Sequence, residues 1–472
     1  MAQVAADNSS AAPVDVEPSL VVEHTPGQRA LVYTKAGLVG VFFWMLWGDF
    51  CFTLMESTIP RLLPLTLNDL GASNRTIGLL VGSIPGVLNM IITPVVSFRS
   101  DRYRSRWGRR IPYLLWPSPF IALFLIITGY STDIGHAIQG WFAASLAGAS
   151  PKTVILAVIS ISVVGFQFFN MIVASIYYYL FADVVPEHLM GRFMGLFRVV
   201  GASATFVFNR WIFGLADTHM KEIYIGIGLL YCVSFTMMCW RVKEGAYPPP
   251  PPQVEGPGFI SAIKTYFIEC FSIPYYVWFF LGTTFYTVGM ITTNIFSVFF
   301  AQKLGMTLDD FGKVMSWVSL LALVLSLPAG YLSDKIHPLR MGVIATAASV
   351  LLAAVSFFVV RGPDSFLWFT IIMALATIAY GAANLPMYAA LLPKDRYGQF
   401  CSAQAMINAL AMILANYLAG CFVDATGNYR YIYAWYAVFM LVSLGCMLPV
   451  YVGWKRYGGD EAYVPPSPAQ RA

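Results

Sequence analysis

The sequence predicts an all-α membrane protein with twelve transmembrane helices arranged in two halves of six. Three observations lead to this fold class. Hydrophobic residues make up 58% of the 472 positions and charged residues only 11%, which is about half the charge of a typical soluble domain. The apolar residues form blocks of about 20 residues or more, the length that crosses a bilayer. The two halves of the chain also match each other. These features exclude a disordered chain, a nucleic-acid-binding protein and an ordinary cytosolic enzyme.

The apolar blocks define twelve predicted spans, at approximately 36–60, 77–98, 111–130, 153–183, 193–216, 223–240, 274–300, 312–332, 341–360, 365–392, 400–424 and 431–453. The longest loop on the inner side contains five consecutive prolines, Pro248 to Pro252, which favour an extended spacer. The predicted organisation is therefore a cytoplasmic tail, a six-helix half, a Pro-rich linker, a second six-helix half and a second tail, over 1–35, 36–240, 241–273, 274–453 and 454–472.

Lys and Arg residues divide unequally between the two sides that these spans define. With the N-terminus inside, eighteen lie in segments on the inner side and eight in segments on the opposite side, with Arg61 among the eight. Such an excess of positive charge is typical of the cytoplasmic side. No signal-peptide pattern precedes the first span. We therefore expect a multi-pass protein of the cell (inner) membrane with both termini in the cytoplasm.

Cysteine and histidine residues give no sign of a cofactor or metal site. The seven cysteines form no CxxC pair and lie mostly in apolar runs, so they are expected to pack as small hydrophobic side chains. The five histidines lie in loops or in the tail without ligand spacing. No Walker, GxSxG or HExxH motif is present. The sequence predicts no cofactor and no metal ion, and it does not favour a membrane-embedded enzyme, the main alternative from another class.

An internal repeat relates the two halves through matches at equivalent span ends. A shift of 234 places Gly71 on Gly305, Gly78 on Gly312 and Pro94 on Pro328, and Asp101 meets Asp334 after a one-residue gap. A shift of 207 places Pro186 on Pro393, Gly191 on Gly398, Phe193 on Phe400, Asn209 on Asn416 and Asp217 on Asp424. The first half thus holds 27 additional residues, expected in the loop near 131–152. Parallel six-helix repeats are the architecture of major facilitator transporters, whose substrate site lies between the halves.

The loop after the second span carries the most specific motif. It reads Ser100-Asp101-Arg102-Tyr103-Arg104-Ser105-Arg106-Trp107-Gly108-Arg109-Arg110-Ile111-Pro112-Tyr113. The order D-x-x-x-S-R-W-G-R-R-x-P-Y resembles the loop between helices two and three of the glycoside-pentoside-hexuronide:cation symporters, particularly their sucrose transporter-like branch. The resemblance implies a major facilitator fold and a carrier that moves a sugar with a cation. It also implies a cytoplasmic gate formed by Asp101, Gly108, Arg109 and Arg110.

Three further residues are assigned to this gate by the same resemblance. Phe181-Ala182-Asp183 ends span four and Arg192 begins span five, which looks like the acid and the arginine that flank the loop in sucrose transporters. Ser333-Asp334-Lys335 is the repeat counterpart of the loop and lacks the G-R-R portion. Asp183, Arg192 and Asp334 therefore complete the predicted gate.

Four charged residues lie deep inside predicted spans: Asp49, Glu56, Arg198 and Arg210. A charge at that depth is costly unless it is paired or hydrated, so each is a candidate functional residue. Spans seven to twelve contain no equivalent, so ion coupling is predicted in the first half. Asp49 and Glu56 lie about 20° and about 10 Å apart on one helix face. An ion pair between Glu56 and Arg210 is geometrically possible. Two interpretations are considered: the pair stabilises the fold, or protonation of Asp49 or Glu56 alters the pairing and couples proton entry to substrate movement.

Uncharged amides are the predicted substrate ligands, because an amide offers both donors and acceptors to a polyhydroxylated neutral ligand. The alternative is hydrogen bonding between packed helices. Tryptophans within spans are candidates for stacking on a pyranose, although many tryptophans lie at the membrane interface instead. The predicted substrate-binding residues are Asn89, Gln167, Asn170, Asn294, Asn384, Gln404, Asn408, Asn416, Trp44 and Trp317.

The functional prediction is a secondary active transporter that moves a glycoside or disaccharide with a proton by alternating access. Sodium coupling and transport of another small organic solute are the alternatives, since Asp49 and Glu56 could also hold a metal cation. The predicted partners are a sugar, a coupling cation with H+ favoured over Na+, and the lipid bilayer, with no nucleic acid. The protein is expected to function as a monomer.

Overall fold

The computed structural model describes residues 3–4, 21–22, 31–142, 148, 150–245 and 270–466. Within these residues the chain is helical apart from three short strands, β1 (Gln3–Val4), β2 (Val21–Val22) and β3 (Leu31–Val32). Strand β3 pairs antiparallel with both others, and Val32 lies opposite Gln3 and Val21. Most of the predicted N-terminal tail, residues 467–472 of the predicted C-terminal tail, and the proline run of the predicted linker lie outside the described residues. The predicted all-α class is confirmed.

The first part of the chain supplies nine helices within the described residues. They are α1 (Lys35–Asp69), α2 (Asn74–Gly78), α3 (Ile84–Arg102), α4 (Ile111–Leu115), α5 (Ser118–Gly129), α6 (Ser131–Trp141), α7 (Pro151–Val184), α8 (Glu187–Val207) and α9 (Ala216–Arg241). A π-helical turn over Leu79–Ser83 joins α2 to α3, so residues 74–102 make one crossing. The Thr34 and Ser150 hydroxyls accept backbone N–H bonds at the starts of α1 and α7, as helix N-caps do.

The second part supplies seven further helices within the described residues. They are α10 (Pro274–Lys303), α11 (Leu308–Ile336), α12 (Pro338–Val359), α13 (Pro363–Leu391), α14 (Tyr397–Thr426), α15 (Ile432–Arg456) and α16 (Gly459–Ala462). Single 3-10 turns precede α14 and α15, over Lys394–Arg396 and Tyr429–Tyr431. Proline stands at the start of α10, α12 and α13, where its missing N–H costs no hydrogen bond.

Eleven stretches of the described chain are long and apolar enough to cross a membrane. One of them, Leu189–Arg241, is 53 residues long and contains most of α8 and all of α9. A π turn over Phe208–Ile212 and a 3-10 turn over Phe213–Leu215 separate these two helices, and non-helical backbone at His219 kinks the start of α9. When that stretch is counted as two crossings, the helices agree with the twelve predicted spans.

Two boundaries differ from the prediction. The first span was expected to end at residue 60 with Arg61 in a loop, but α1 continues to Asp69 and contains Arg61. Its internal prolines, Pro60 and Pro64, do not end the helix because Leu62 and Leu63 are fully buried against neighbours, and packing supports proline within membrane helices. The predicted loop near 131–152 was also partly wrong. Residues 131–141 form α6, whose Gly135 packs against Ile155 of α7.

Two compact units make up the chain. Unit 1 comprises residues 1–71, 87–208 and 215–253, and unit 2 comprises 72–86, 209–214 and 254–472. The core of unit 1 contains rings of α1, α7 and α9, where Phe52, Tyr177, Tyr231 and Phe235 pack together. The predicted domain boundaries remain a prediction, since these units follow the packing of the helices and not the repeat.

A strap at the end of the described chain lies on unit 2. The Tyr276 hydroxyl donates to the carbonyl oxygen of Pro466 at 2.9 Å, and the Tyr463 hydroxyl donates to that of Leu391 at 2.8 Å. Arg340 pairs with Asp460 at 2.6 Å. Residues 460–466 are therefore attached to α10, α12 and α13 by side-chain bonds.

Candidate functional site

Asp49 lies in the middle of α1 and is only 2% exposed. Its Oδ2 atom has no hydrogen-bond partner among the described residues. The neighbouring helix α8 presents Gly201 to it: a Cβ at that glycine would lie 3.6 Å from Asp49 Oδ2 and 3.7 Å from Thr53 Oγ1. The acid therefore faces a position that has no side chain.

Glu56 lies two turns further along α1 and is joined to α7. Its Oε1 atom accepts a hydrogen bond from Asn170 Nδ2 at 3.1 Å. Asn170 is 3% exposed, and its Oδ1 atom has no partner among the described residues. The sequence thus placed Asn170 with the substrate ligands, whereas the structure places it beside a carboxylate.

The two arginines of α8 and the π turn do not pair with these acids. Among the described side chains, no ion pair joins Arg198 or Arg210 to Asp49 or Glu56 within 4.0 Å. The Glu56–Arg210 pair that the sequence permitted is therefore not formed. Arg210 lies in the π turn, and the extra residue in such a turn rotates it away from the direction expected for a regular helix.

In the second half, the positions equivalent to Asp49, Thr53 and Gly201 carry uncharged polar side chains. The shift of 234 carries Asp49 to Thr283 and Thr53 to Thr287, and the shift of 207 carries Gly201 to Asn408. Thr287 Oγ1 donates to Asn408 Oδ1 at 2.6 Å, and Gln404 Nε2 donates to Thr283 Oγ1 at 3.3 Å. These amides and hydroxyls satisfy one another. In the first half a carboxylate and a glycine occupy the equivalent places.

The loop between α3 and α4 forms a network of charges with the end of α7. Arg109 binds both oxygens of Asp183 at 3.1 and 2.6 Å, and Arg110 Nε reaches the same carboxylate at 3.2 Å. Arg110 also donates to Ser100 Oγ and to Asp101 Oδ1, both at 2.5 Å. We call the end of the first-half helices that carries this network the basic end.

Glu244 belongs to this network and was missed by the sequence analysis. Its carboxylate accepts the backbone N–H groups of Arg109, Arg110 and Ile111 at 2.9, 2.8 and 2.7 Å, and the residue is 8% exposed. Gly108 has φ +106°, and a Cβ there would lie 2.5 Å from Glu244 Cδ. A helix start needs acceptors for its first N–H groups, but nothing in sequence order showed that an acid after α9 supplies them.

The structure brings together five of the seven predicted gate residues: Asp101, Gly108, Arg109, Arg110 and Asp183. Arg192 is exposed and forms no ion pair with Asp183, because that carboxylate is already bound by two arginines. Asp334 is exposed near the end of α11 and has no ion pair among the described side chains. These two residues are not part of the observed network.

The predicted substrate ligands fall into different environments. Asn89 and Asn294 are exposed, Asn384 is half-buried, and Gln167 and Asn416 are buried. Asn416 Nδ2 donates to the Met412 carbonyl oxygen, and its side chain fills the space beside Gly82, so helix packing accounts for it. Trp44 lies 5.5 Å from the Arg241 guanidinium, and Trp317 is exposed.

Arg61 is a second residue that the sequence analysis misplaced. Its guanidinium carbon lies 5.3 Å from the centre of the Phe208 ring, and its Nη1 atom is buried without a hydrogen-bond partner among the described residues. The predicted span ended at Pro60, so Arg61 was assigned to a loop and not to the charged residues inside the predicted spans.

Known proteins match this chain in three comparisons. A sequence model described as Major Facilitator Superfamily matches residues 216–391 and 277–468. A sucrose transport protein of Oryza sativa subsp. japonica is 44% identical over 59 residues, which is 12% of this chain and 10% of that protein. The match therefore spans about a tenth of the length of this curated relative.

Solved structures show the same fold at low sequence identity. A bacterial homologue of the iron transporter ferroportin in an inward-facing state has a TM-score of 0.66 and 13% identity, over 87% of this chain and 98% of that one. A D-xylose-proton symporter has a TM-score of 0.58 and 13% identity, over 87% and 97%.

The membrane-spanning helices together with the family match identify the chain as a membrane transporter. The family match covers more than half of the chain. The protein therefore belongs to the Major Facilitator Superfamily, as its repeat and its loop motif predicted, and its local likeness to sucrose transport proteins agrees with the predicted sucrose transporter-like branch.

Proposed function

We propose that this protein moves a glycoside or disaccharide together with a proton by alternating access. Superfamily membership supports transport, and the match to a sucrose transport protein supports a sugar as the substrate. The basic end carries most of the clustered arginines, so we place it on the cytoplasmic side of the cell membrane with both termini. The network of Arg109, Arg110, Asp101 and Asp183 then forms the cytoplasmic gate.

One observation carries the coupling proposal: buried Asp49 faces Gly201, whereas the position equivalent to Asp49 in the other half is Thr283, whose hydroxyl accepts a hydrogen bond from Gln404. A buried carboxylate without a donor is costly, and binding a proton removes its charge. The neutral, protonated carboxylic acid can therefore pass through an apolar environment at a lower free-energy cost than the charged carboxylate. Glu56, held by Asn170, is the second acid of this coupling site.

The sugar is proposed to bind amides that remain accessible or half-buried within spans. Asn89 is exposed in the first half, and Asn294, Asn384, Gln404 and Asn408 are not fully buried in the second. Their donors and acceptors suit neutral hydroxyl groups. None of these five residues carries a charge that could pair with an organic ion.

Sodium is the second candidate for the coupling ion. Asp49 Oδ2 and Asn170 Oδ1 are both buried oxygens without a hydrogen-bond partner among the described residues, and hard cations prefer oxygen ligands. Uptake of labelled sugar separates the two ions. A pH gradient drives accumulation if the coupling ion is a proton, and a sodium gradient drives it if the coupling ion is sodium.

Uptake into proteoliposomes tests the proposal. With sucrose, maltose and xylose as labelled substrates, an inward proton gradient should drive accumulation, and Asp49→Asn should abolish that accumulation while counterflow persists. Asp69→Asn is the matched control, because Asp69 is an exposed carboxylate on the same helix. Gradient-driven accumulation by the Asp49 variant would overturn the coupling, and absence of counterflow for every sugar would overturn the substrate class.

A further inference from the structure

Helices α3 and α7 carry polar side chains on one face each. Asn89, Thr93 and Ser97 follow one another at four-residue steps on α3, and Ser175 and Tyr179 do so on α7. Residues four apart share a helix face. We propose that these five residues, which we call the polar track, form a sugar-binding path that leads towards the basic end. This inference rests on the proposed sugar transport.

Hydrogen bonds join the polar track across the two helices. Thr93 Oγ1 donates to Asn89 Oδ1 at 2.6 Å and lies 2.8 Å from Ser175 Oγ. One turn further, Ser97 Oγ lies 3.4 Å from the Tyr179 hydroxyl. The hydroxyls therefore form two pairs between α3 and α7, one helical turn apart.

The track ends at the charged network. The guanidinium carbon of Arg110 lies 5.2 Å from the centre of the Tyr179 ring, and the same guanidinium binds Asp101 and Asp183. A ligand that moved along the track would thus meet neutral groups first and the proposed gate at its end.

Exposure distinguishes the track from ordinary helix packing. Tyr179 is 40% exposed, Asn89 is exposed, and Thr93, Ser97 and Ser175 are half-buried. A hydroxyl pair of the same length, Thr128 with Ser162 at 2.8 Å, also links α7 to a neighbour but is 2% and 1% exposed. The buried pair is enclosed by neighbouring helices, whereas the groups of the track are only partly covered by the protein.

The repeat shows that helix packing does not require these polar groups. Asn89, Thr93 and Ser175 correspond to Leu323, Leu327 and Ala382 under the two shifts. Helices α11 and α13, which carry these apolar residues, still pack against each other. Leu327 is 84% exposed, so the packing of these two helices in the second half does not depend on a hydroxyl at the position of Thr93.

The chemistry of the track fits a neutral polyhydroxylated ligand. Hydroxyl and amide groups both donate and accept, so they can exchange their mutual hydrogen bonds for bonds to sugar hydroxyls. The exposed Tyr179 ring offers an apolar face for a pyranose. No carboxylate or basic side chain lies among the five residues, so the track gives an organic ion no counter-charge.

Sucrose counterflow in proteoliposomes tests the track with variants that imitate the second half. Thr93→Val and Ser175→Ala should each raise the apparent KM about threefold to tenfold, since a lost hydrogen bond contributes about 1 kcal/mol. Thr93→Ser keeps the hydroxyl and should retain the original KM. Thr128→Val and Ser162→Ala are matched controls, and both should leave the KM unchanged.

Each outcome has a distinct meaning. If the unaltered protein exchanges no sugar, the proposed function fails and the track with it. If it exchanges sucrose but Thr93→Val and Ser175→Ala match its KM, the track alone is overturned. If these variants lower proton-driven accumulation at an unchanged counterflow KM, the track serves the proton and the sugar assignment is overturned. A raised KM in the Thr128→Val control would also contradict the assignment of sugar binding to the polar track.

Discussion

Gly78 lies directly against the backbone carbonyl oxygen of Asn416, and a Cβ at residue 78 would come within 2.2 Å of that oxygen. Gly312 has the same relation to the carbonyl oxygen of Asn209, at 2.4 Å. The shift of 234 relates the two glycines and the shift of 207 relates the two asparagines. The duplication is therefore present as two equivalent backbone contacts, both within unit 2.

Replacing either glycine should destabilise the protein. Gly78→Ala and Gly312→Ala each add a methyl group where only a backbone fits, so we expect a loss of about 1–3 kcal/mol and a lower melting temperature in detergent. Gly330→Ala is the control, because a Cβ at that helical glycine meets nothing within 4 Å. Equal melting temperatures for all three variants would contradict the close contact.

Gly201 should be essential for coupling to the proton gradient. Gly201→Asn introduces the residue that the second half uses at Asn408, and its amide can donate to Asp49 and hold the carboxylate charged. Proton-driven accumulation should fall about tenfold or more, equivalent to about 1.4 kcal/mol, while counterflow persists. Gly195→Asn on the same helix meets no neighbour and should accumulate sugar normally. Normal accumulation by the Gly201 variant would remove the support for the coupling site.

Glu244 should stabilise the loop at the basic end. Its carboxylate accepts three backbone N–H groups, and bonds to a charged acceptor contribute about 1.5–3 kcal/mol each. Glu244→Gln keeps the size of the side chain but loses its charge, so thermal stability should fall clearly. Glu222→Gln alters an exposed acid on α9 and should have little effect. A melting curve that is unchanged by the first substitution would show that the charge is dispensable.

His337 should make stability depend on pH. It has φ +77°, and its Nδ1 atom accepts the Leu339 N–H at 3.2 Å. Burial lowers the pKa of this imidazole, Arg340 lowers it further and Asp460 opposes them. Because the folded pKa is lowered, the contribution is complete above the unfolded value of about 6.5 and is lost as pH falls through the folded value.

The measurement is the melting temperature as a function of pH for the unaltered protein and for His337→Asn. Asparagine tolerates positive φ and does not titrate. The unaltered protein should lose more stability than the variant below about pH 6.5. Parallel curves would show that the pKa of His337 is the same in the folded and the unfolded protein.

The sequence predicted the helices and the repeat because both depend on patterns along the chain. Apolar length set the spans, and the two shifts identified pairs such as Gly78 with Gly312 before their contacts were known. The chemistry between distant residues was less accessible. Glu244 reaches a loop more than a hundred positions earlier, and no local pattern announces such a bond. Arg61 was assigned to a loop because the predicted span ended at Pro60. The sequence alone does not show the packing that lets α1 continue past this proline.

The role of Gly201 shows a similar limit. A glycine within a span carries no charge or hydrogen-bonding side chain, so nothing in the sequence connects it with Asp49. The structure shows that Gly201 lies beside Asp49, and the repeat shows that Asn408 occupies the equivalent position in the second half. Once the structure shows which positions are in contact in one half, the repeat identifies the equivalent positions in the other half.

The strap of residues 460–466 has a practical consequence for engineering the protein. Its bonds to Tyr276 and Leu391 hold the chain against the helix ends up to Pro466. A fluorescent fusion or affinity tag joined upstream of that proline would remove these bonds from α10 and α13. A tag joined after residue 472 would leave them intact, so expression trials should retain the whole strap.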